Sequence, residues 1–148
     1  MDDRHLEPAA VLLGRLLLSA LFLHEAFAKL NGYAAAIAYM ETFGMPGAML
    51  PLAIALELGG ALMIIAGFKT RIAALMLAAF CIATAVLFHA RFGVRNELLH
   101  FEKDLAIAGG FLVLAARGGG AWSVDAWRSR RERDRRAAFT ESGTTRAW

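Results

Sequence analysis

The chain has 148 residues, 58% of them hydrophobic, with a mean hydropathy of +0.50. A soluble domain is roughly 45–50% apolar, so this composition points to a membrane protein. The formal net charge of +3 comes without a basic groove or a stacking aromatic set, which excludes a nucleic-acid-binding domain, and the single Cys81 excludes an internal disulfide, a CxxC redox pair and a thiolate zinc cluster.

A membrane span takes roughly 20 mostly apolar residues, with about 17 as a lower limit. The first predicted span covers about residues 9–30 and carries four ionisable side chains, Arg15, His24, Glu25 and Lys29. At about 100° per residue, Arg15, Ser19, Phe22, Ala26 and Lys29 share one face, and His24 points the other way. Glu25 and Lys29 are four apart and suited to pair. Ala26-Phe27-Ala28 resembles a signal-peptide cleavage site. Asp2, Asp3 and Glu7 make the preceding segment acidic, however, and Arg15 interrupts the apolar run, so the segment reads as a retained span. Asn31-Gly32 closes it with residues that tolerate a left-handed turn.

The second span is expected at about residues 50–68, after the breaker Phe43-Gly44-Met45-Pro46-Gly47. Its Glu57 shares a face with Ala53, Gly60 and Ala61, small residues that let helices approach closely. Counted from the same membrane face, Arg15 and Glu57 differ in depth by roughly 5 Å. A buried Arg15–Glu57 ion pair is therefore expected, either as a tie between helices or as a grip on a polar head group. The third span, about residues 72–89, follows a tight link at 67–71 and ends on His89.

The fourth span is expected at about residues 101–116, and only its part from Leu105 is free of charge. At roughly 24 Å it is short for a hydrocarbon core of about 30 Å. Glu97, His100 and Asp104 share a face at its start. His24, Glu25, Lys29, His89, His100 and Asp104 then gather in the outer half of the bundle. Such a set suits a wet polar rim, proton relay, a grip on a quinone carbonyl, or a metal. No HxxxH or HExxH spacing is present, and no metal site is predicted.

Gly118-Gly119-Gly120 ends the fourth span, so residues 1–120 form the membrane domain and 121–148 a basic tail. Ser123 can cap a helix, and six arginines follow within residues 128–136. They suit an interfacial helix or tail on anionic lipid head groups. Eleven Lys and Arg flank the spans on the face of the termini against three on the other, which predicts that both termini are cytoplasmic. The expected fold is an all-α bundle of four transmembrane helices in the bacterial inner membrane.

Three blocks, GRLLLSALFLHEAFAKL, LELGGALMIIAGFKTRIAALML and FEKDLAIAGGFLVLAARGGGAWSVD, together resemble the DoxX family of small membrane proteins over roughly residues 14–125. The resemblance rests on Arg15 and Lys29, on Glu57 with its glycine pair and Gly67, Thr70 and Arg71, and on Lys103, Asp104, Gly109, Gly110 and the Ser123-Val124-Asp125 stop. His24-Glu25 departs from the family pattern, where a small residue is common. The resemblance implies a four-helix bundle associated with quinone- or thiol-linked redox systems, with a redox partner subunit and a possible homo-oligomer. The chain has no plain haem, flavin or Fe–S motif, so it reads as an accessory subunit more than a stand-alone catalyst. A membrane scaffold, or a small metal or solute handler, are the competing readings.

Overall fold

The computed structural model describes the backbone of residues 3–90, 93 and 95–144, with side chains over 6–90, 93 and 95–139. The side chains of Arg4, Arg91 and Arg146, counted above in the charge asymmetry, lie outside the described residues. Among those residues the chain is helices joined by turns, with no strand: α1 (Asp3–Asn31), α2 (Tyr33–Thr42), a 3-10 turn (Gly47–Met49), α3 (Leu50–Ala66), α4 (Thr70–His89), α5 (Arg95–Arg117) and α6 (Val124–Thr144).

Three segments are long and apolar enough to cross a membrane: Leu6–Asn31, Gly47–Ala66 and Thr70–His89. The predicted fourth span is the later part of α5. Its 23 residues reach about 34 Å at about 1.5 Å each, because the helix begins at Arg95 rather than near residue 101. Its first turns carry Arg95, Glu97, His100, Glu102, Lys103 and Asp104, so α5 is long enough but not apolar enough throughout.

The link after α1 also differs from expectation. Gly32 has φ −107°, not a left-handed value. Its N–H still bonds Ala28 O at 2.9 Å, and its own carbonyl accepts from Ala36 N at 2.9 Å. The helical ladder is bent there instead of capped, and the chain runs on into α2. That short helix is made by the Ala-rich stretch YAAAIAYMET, whose ten residues favour helix but are too few to span a membrane. It ends at Gly44, φ +73°, a conformation that glycine adopts without a steric penalty.

α5 lies along α4, α1 along α3, and α3 against α4. Phe22, Ala61, Ile64, Leu77 and Phe111 fill the centre. Phe22 and Phe111 meet edge-on at 5.4 Å. Small residues set the spacing: a Cβ on Gly60 would sit 2.9 Å from the Leu77 side chain. On the outside, Leu17, Leu52 and Val113 are 66%, 67% and 65% exposed. Such a continuous apolar surface is costly in water and normal in hydrocarbon.

One end of the bundle is closed by a polar knot built on the turn between α3 and α4. Gly67, φ +67°, ends α3 with bonds from Gly67 N to Ile64 O and from Phe68 N to Met63 O, the Schellman arrangement. Ser123 packs so closely here that a Cβ on Gly67 would lie 2.4 Å from its own Cβ. Ser123 Oγ caps α6 by accepting from Ala126 N at 3.1 Å. Asp125 Oδ1 accepts from Lys69 N at 2.8 Å, and Oδ2 accepts from Thr70 N at 2.9 Å and Thr70 Oγ1 at 2.8 Å. The start of α6 thereby caps the start of α4. Glu7 and Arg117 form an ion pair at the same end, so the beginning of α1 and the end of α5 lie together.

Burial works to raise the pKa of Asp125, but the bonds from Thr70 and Lys69 and the nearby Arg128 outweigh it and hold the carboxyl below its ordinary value. The stabilisation is therefore present above the unfolded value near 3.8 and is lost as pH falls through the lower folded value. Asp125→Ala is expected to cost about 1 kcal/mol at neutral pH, as for other lost helix caps. Thermal unfolding in detergent at pH 7 and again well below pH 3.8 checks this, since the gap between wild type and variant should close in acid.

Candidate functional site

At the end of the bundle away from the knot, α1, α3, α4 and α5 splay around a cavity of about 570 Å³, roofed by α2 and the 3-10 turn. The walls are mostly apolar, with Leu21, Phe22, Met40, Leu50, Leu56 and Phe80 among them, and Cys81 and Thr84 from α4. Tyr39 and Phe43 close the roof by packing on Phe88 of α4, with ring centroids 5.8 and 5.2 Å from it.

Two polar groups face each other across this space. On one side Lys29 Nζ donates to Glu57 Oε1 at 2.9 Å and to Glu25 Oε2 at 3.2 Å. Glu57 is only 3% exposed. Its other oxygen, Oε2, is buried and has no hydrogen-bond partner among the described residues. α3 brings Glu57 inward on the face that holds Ile54, Gly60, Ala61 and Ile64. Lys29 reaches it from the last turn of α1. On the other side His89 Nδ1 lies 2.8 Å from Glu97 Oε2, and the His89 ring stacks on His100 at 5.1 Å. Lys103 Nζ is 3.3 Å from His100 Nδ1, and Asp104 is half-buried beside them.

The expected Arg15–Glu57 pair is not made. Arg15 Nε donates to Ile64 O at 2.8 Å, Nη1 to Gly119 O and Trp122 O at 2.8 Å each, and Nη2 to Ile65 O at 2.5 Å. α1 and α3 run antiparallel, and Arg15 is level with the last turn of α3. Glu57 is some seven residues, roughly 10 Å, further along. Counting depth from assumed span ends put the two side chains too close. The carbonyls of a helix C-terminus carry partial negative charge, so Arg15 is matched without a carboxylate. Lys29 takes the place beside Glu57.

Of the predicted outer cluster, Glu25, Lys29, His89, His100 and Asp104 line the cavity. His24 does not: it is exposed on the outer face of α1. Sequence reasoning missed the contribution of α2, because Tyr39, Met40 and Met45 sit in a segment that reads as a connection. The alternating aromatic and Met residues there were the available signal. Among the described residues, no group of three or more His, Cys, Asp or Glu is placed to hold a metal ion.

A family model described as DoxX matches residues 10–90 of the chain. The chain is 48% identical over 122 residues to inner membrane protein YqjF of Escherichia coli (strain K12), an alignment that covers 82% of this chain and 94% of that protein. It is 32% identical over 125 residues to inner membrane protein YphA of the same organism, covering 80% and 89%. No solved structure matches.

Proposed function

The chain belongs to the DoxX family, and on that premise we propose that it is an accessory subunit of a redox system in the bacterial inner membrane, holding a quinone-type head group in its cavity. α5 is the fourth transmembrane helix in this reading, and both termini face the cytoplasm, where the excess of Lys and Arg belongs. Electrons come from a partner subunit, because the chain offers one thiol and no motif for haem, flavin or an Fe–S cluster.

The observation that carries the proposal is Glu57 Oε2, a buried acceptor without a partner among the described residues, on a side chain that belongs to the wall of the cavity. A buried polar atom left unpaired costs about 1–3 kcal/mol, so its persistence favours a partner supplied by a ligand. The cavity volume falls within the usual range of roughly 300–1,000 Å³ for small-molecule sites, as does its pattern of apolar walls with few convergent polar groups. Glu57 Oε1 already accepts from Lys29 Nζ, and its second oxygen remains an acceptor for a ligand. It suits the hydroxyl-bearing, reduced form of such a head group, while His100 and Lys103 on the far side can donate to its second oxygen.

Extraction of quinones from protein purified in mild detergent tests this. Wild type should retain quinone near one per chain, and Glu57→Gln should lower the retained amount by about tenfold, the effect of one hydrogen bond to a charged group. Gently purified wild type free of quinone would count against the proposal. The Arg15 knot favours a second reading, a scaffold whose intramembrane charges only join helices. That reading predicts no change in any bound molecule on Glu57→Gln.

A further inference from the structure

The end of the bundle opposite the cavity carries a second concavity, an open groove of about 390 Å³ beside the start of α6. Its walls are Leu12 of α1, Ile65 of α3, and Trp122, Val124 and Trp127. Arg15 forms part of its floor, but the bonds already described direct its guanidinium to carbonyls, so the groove itself is a hydrocarbon surface. It runs into the outer faces of α1 and α3, where Leu16 and Leu62 are 42% and 54% exposed. Whatever fills it is continuous with the surroundings of those helices, which are lipid tails.

The rim has the opposite character. Arg128 lies over the Phe68 ring at 5.3 Å, and Arg131 lies over the Trp127 ring at 4.3 Å. Both arginines are exposed; Arg131 is held on Trp127, a wall of the groove, and Arg128 follows Trp127 in the first turns of α6. Residues 128–136 hold six arginines against Glu132 and Asp134. α6 is polar over most of its length beyond Trp127 and gathers no continuous apolar face to lay on a membrane. Its position is set instead by Asp125, whose hydrogen bonds tie its first turn to the α3–α4 turn, and by Ser123, which packs against Gly67 there. Half-exposed Trp122 and Trp127 sit where aromatic side chains mark the membrane–water boundary.

We propose that this groove and its rim form a binding site for an anionic phospholipid of the host membrane. One acyl chain lies against Leu12, Ile65, Trp122 and Trp127. The phosphate and charged head group meet Arg128 and Arg131, whose guanidinium forks match phosphate oxygens. The apolar continuity argues for a lipid over a soluble polyanion, and the charge argues for an anionic lipid over a zwitterionic one.

Native mass spectrometry of the full chain tests this in detergent carrying equal amounts of phosphatidylglycerol and phosphatidylethanolamine. Wild type should retain phosphatidylglycerol about tenfold over phosphatidylethanolamine, since each arginine near a lipid surface contributes measurably. Arg128→Gln with Arg131→Gln should abolish the preference. Arg133→Gln with Arg135→Gln removes the same charge farther along α6 and should preserve it. Equal retention of the two lipids by wild type would overturn the proposal. So would an equal loss in both double variants, which would mean that net charge, not this groove, selects the lipid.

Discussion

Replacing Arg15 by alanine is expected to leave almost no folded protein in the membrane. The guanidinium serves four carbonyls from two segments, Ile64 and Ile65 in the last turn of α3 and Gly119 and Trp122 in the loop before α6. Ile64 O keeps its bond from Gly67 N, but the other three carbonyls lose their partner at about 1–3 kcal/mol each, so the sum is roughly 3 kcal/mol or more. A typical domain has about 5–15 kcal/mol in total. Arg15 is also among the largest fully buried side chains, at 1% exposure, so its loss opens a void at the same point. Arg15→Lys should recover only part of the stability, because an ammonium cannot spread donors over four acceptors as a planar fork does. The amount of protein extracted in mild detergent and its thermal aggregation midpoint should rank wild type, Arg15→Lys and Arg15→Ala in that order. An Arg15→Ala protein as stable as wild type would remove the knot from the account of the fold.

The second large effect belongs to Lys29. Lys29→Met removes the donor to Glu57 Oε1 and leaves this 3% exposed side chain without a bonded partner. Breaking one partner of a buried pair costs about 3–5 kcal/mol. Replacing both partners, Lys29→Met with Glu57→Met, exchanges the pair for apolar side chains of similar length. The double variant should regain most of the stability, because two charges no longer have to be taken out of water. Its value is that it separates structure from function. If the pair only ties α1 to α3, the double variant should behave as wild type in cells. If Glu57 holds a ligand, the double variant should be folded and empty. A double variant less stable than both single ones would mean that the ion pair itself, beyond mutual compensation, holds these helices together.

The apolar runs of α1, α3 and α4 are legible because roughly 20 apolar residues have few alternatives to a span. The closing role of Gly67 follows from its place after a periodic segment, and Ser123 is recognisable as a cap before a charged run. The inward position of Glu57 is visible in the small residues on its face. The partner of Arg15 is not visible. Sequence patterns suggest side chains as partners, while four backbone carbonyls brought together from a helix end and a distant loop leave no mark on residue identity. α2 is hidden for a related reason. Ten residues that favour helix but cannot span a membrane become a roof only when a cavity beneath gives Tyr39 and Met40 something to cover.

By itself, then, the sequence determined the helical class, the apolar segments, their order and which ionisable residues lie within them, because hydrophobic length and period are properties of the chain alone. The tertiary structure decided which of those residues meet. Antiparallel packing of α1 on α3 sets their relative depth, gives Arg15 to the carbonyls and Lys29 to Glu57, and turns His24 outward. That choice depends on the axial offset between two helices separated by α2 and its turns. An offset of one or two helical turns, about 5–11 Å, changes every pairing while leaving the hydrophobic pattern untouched.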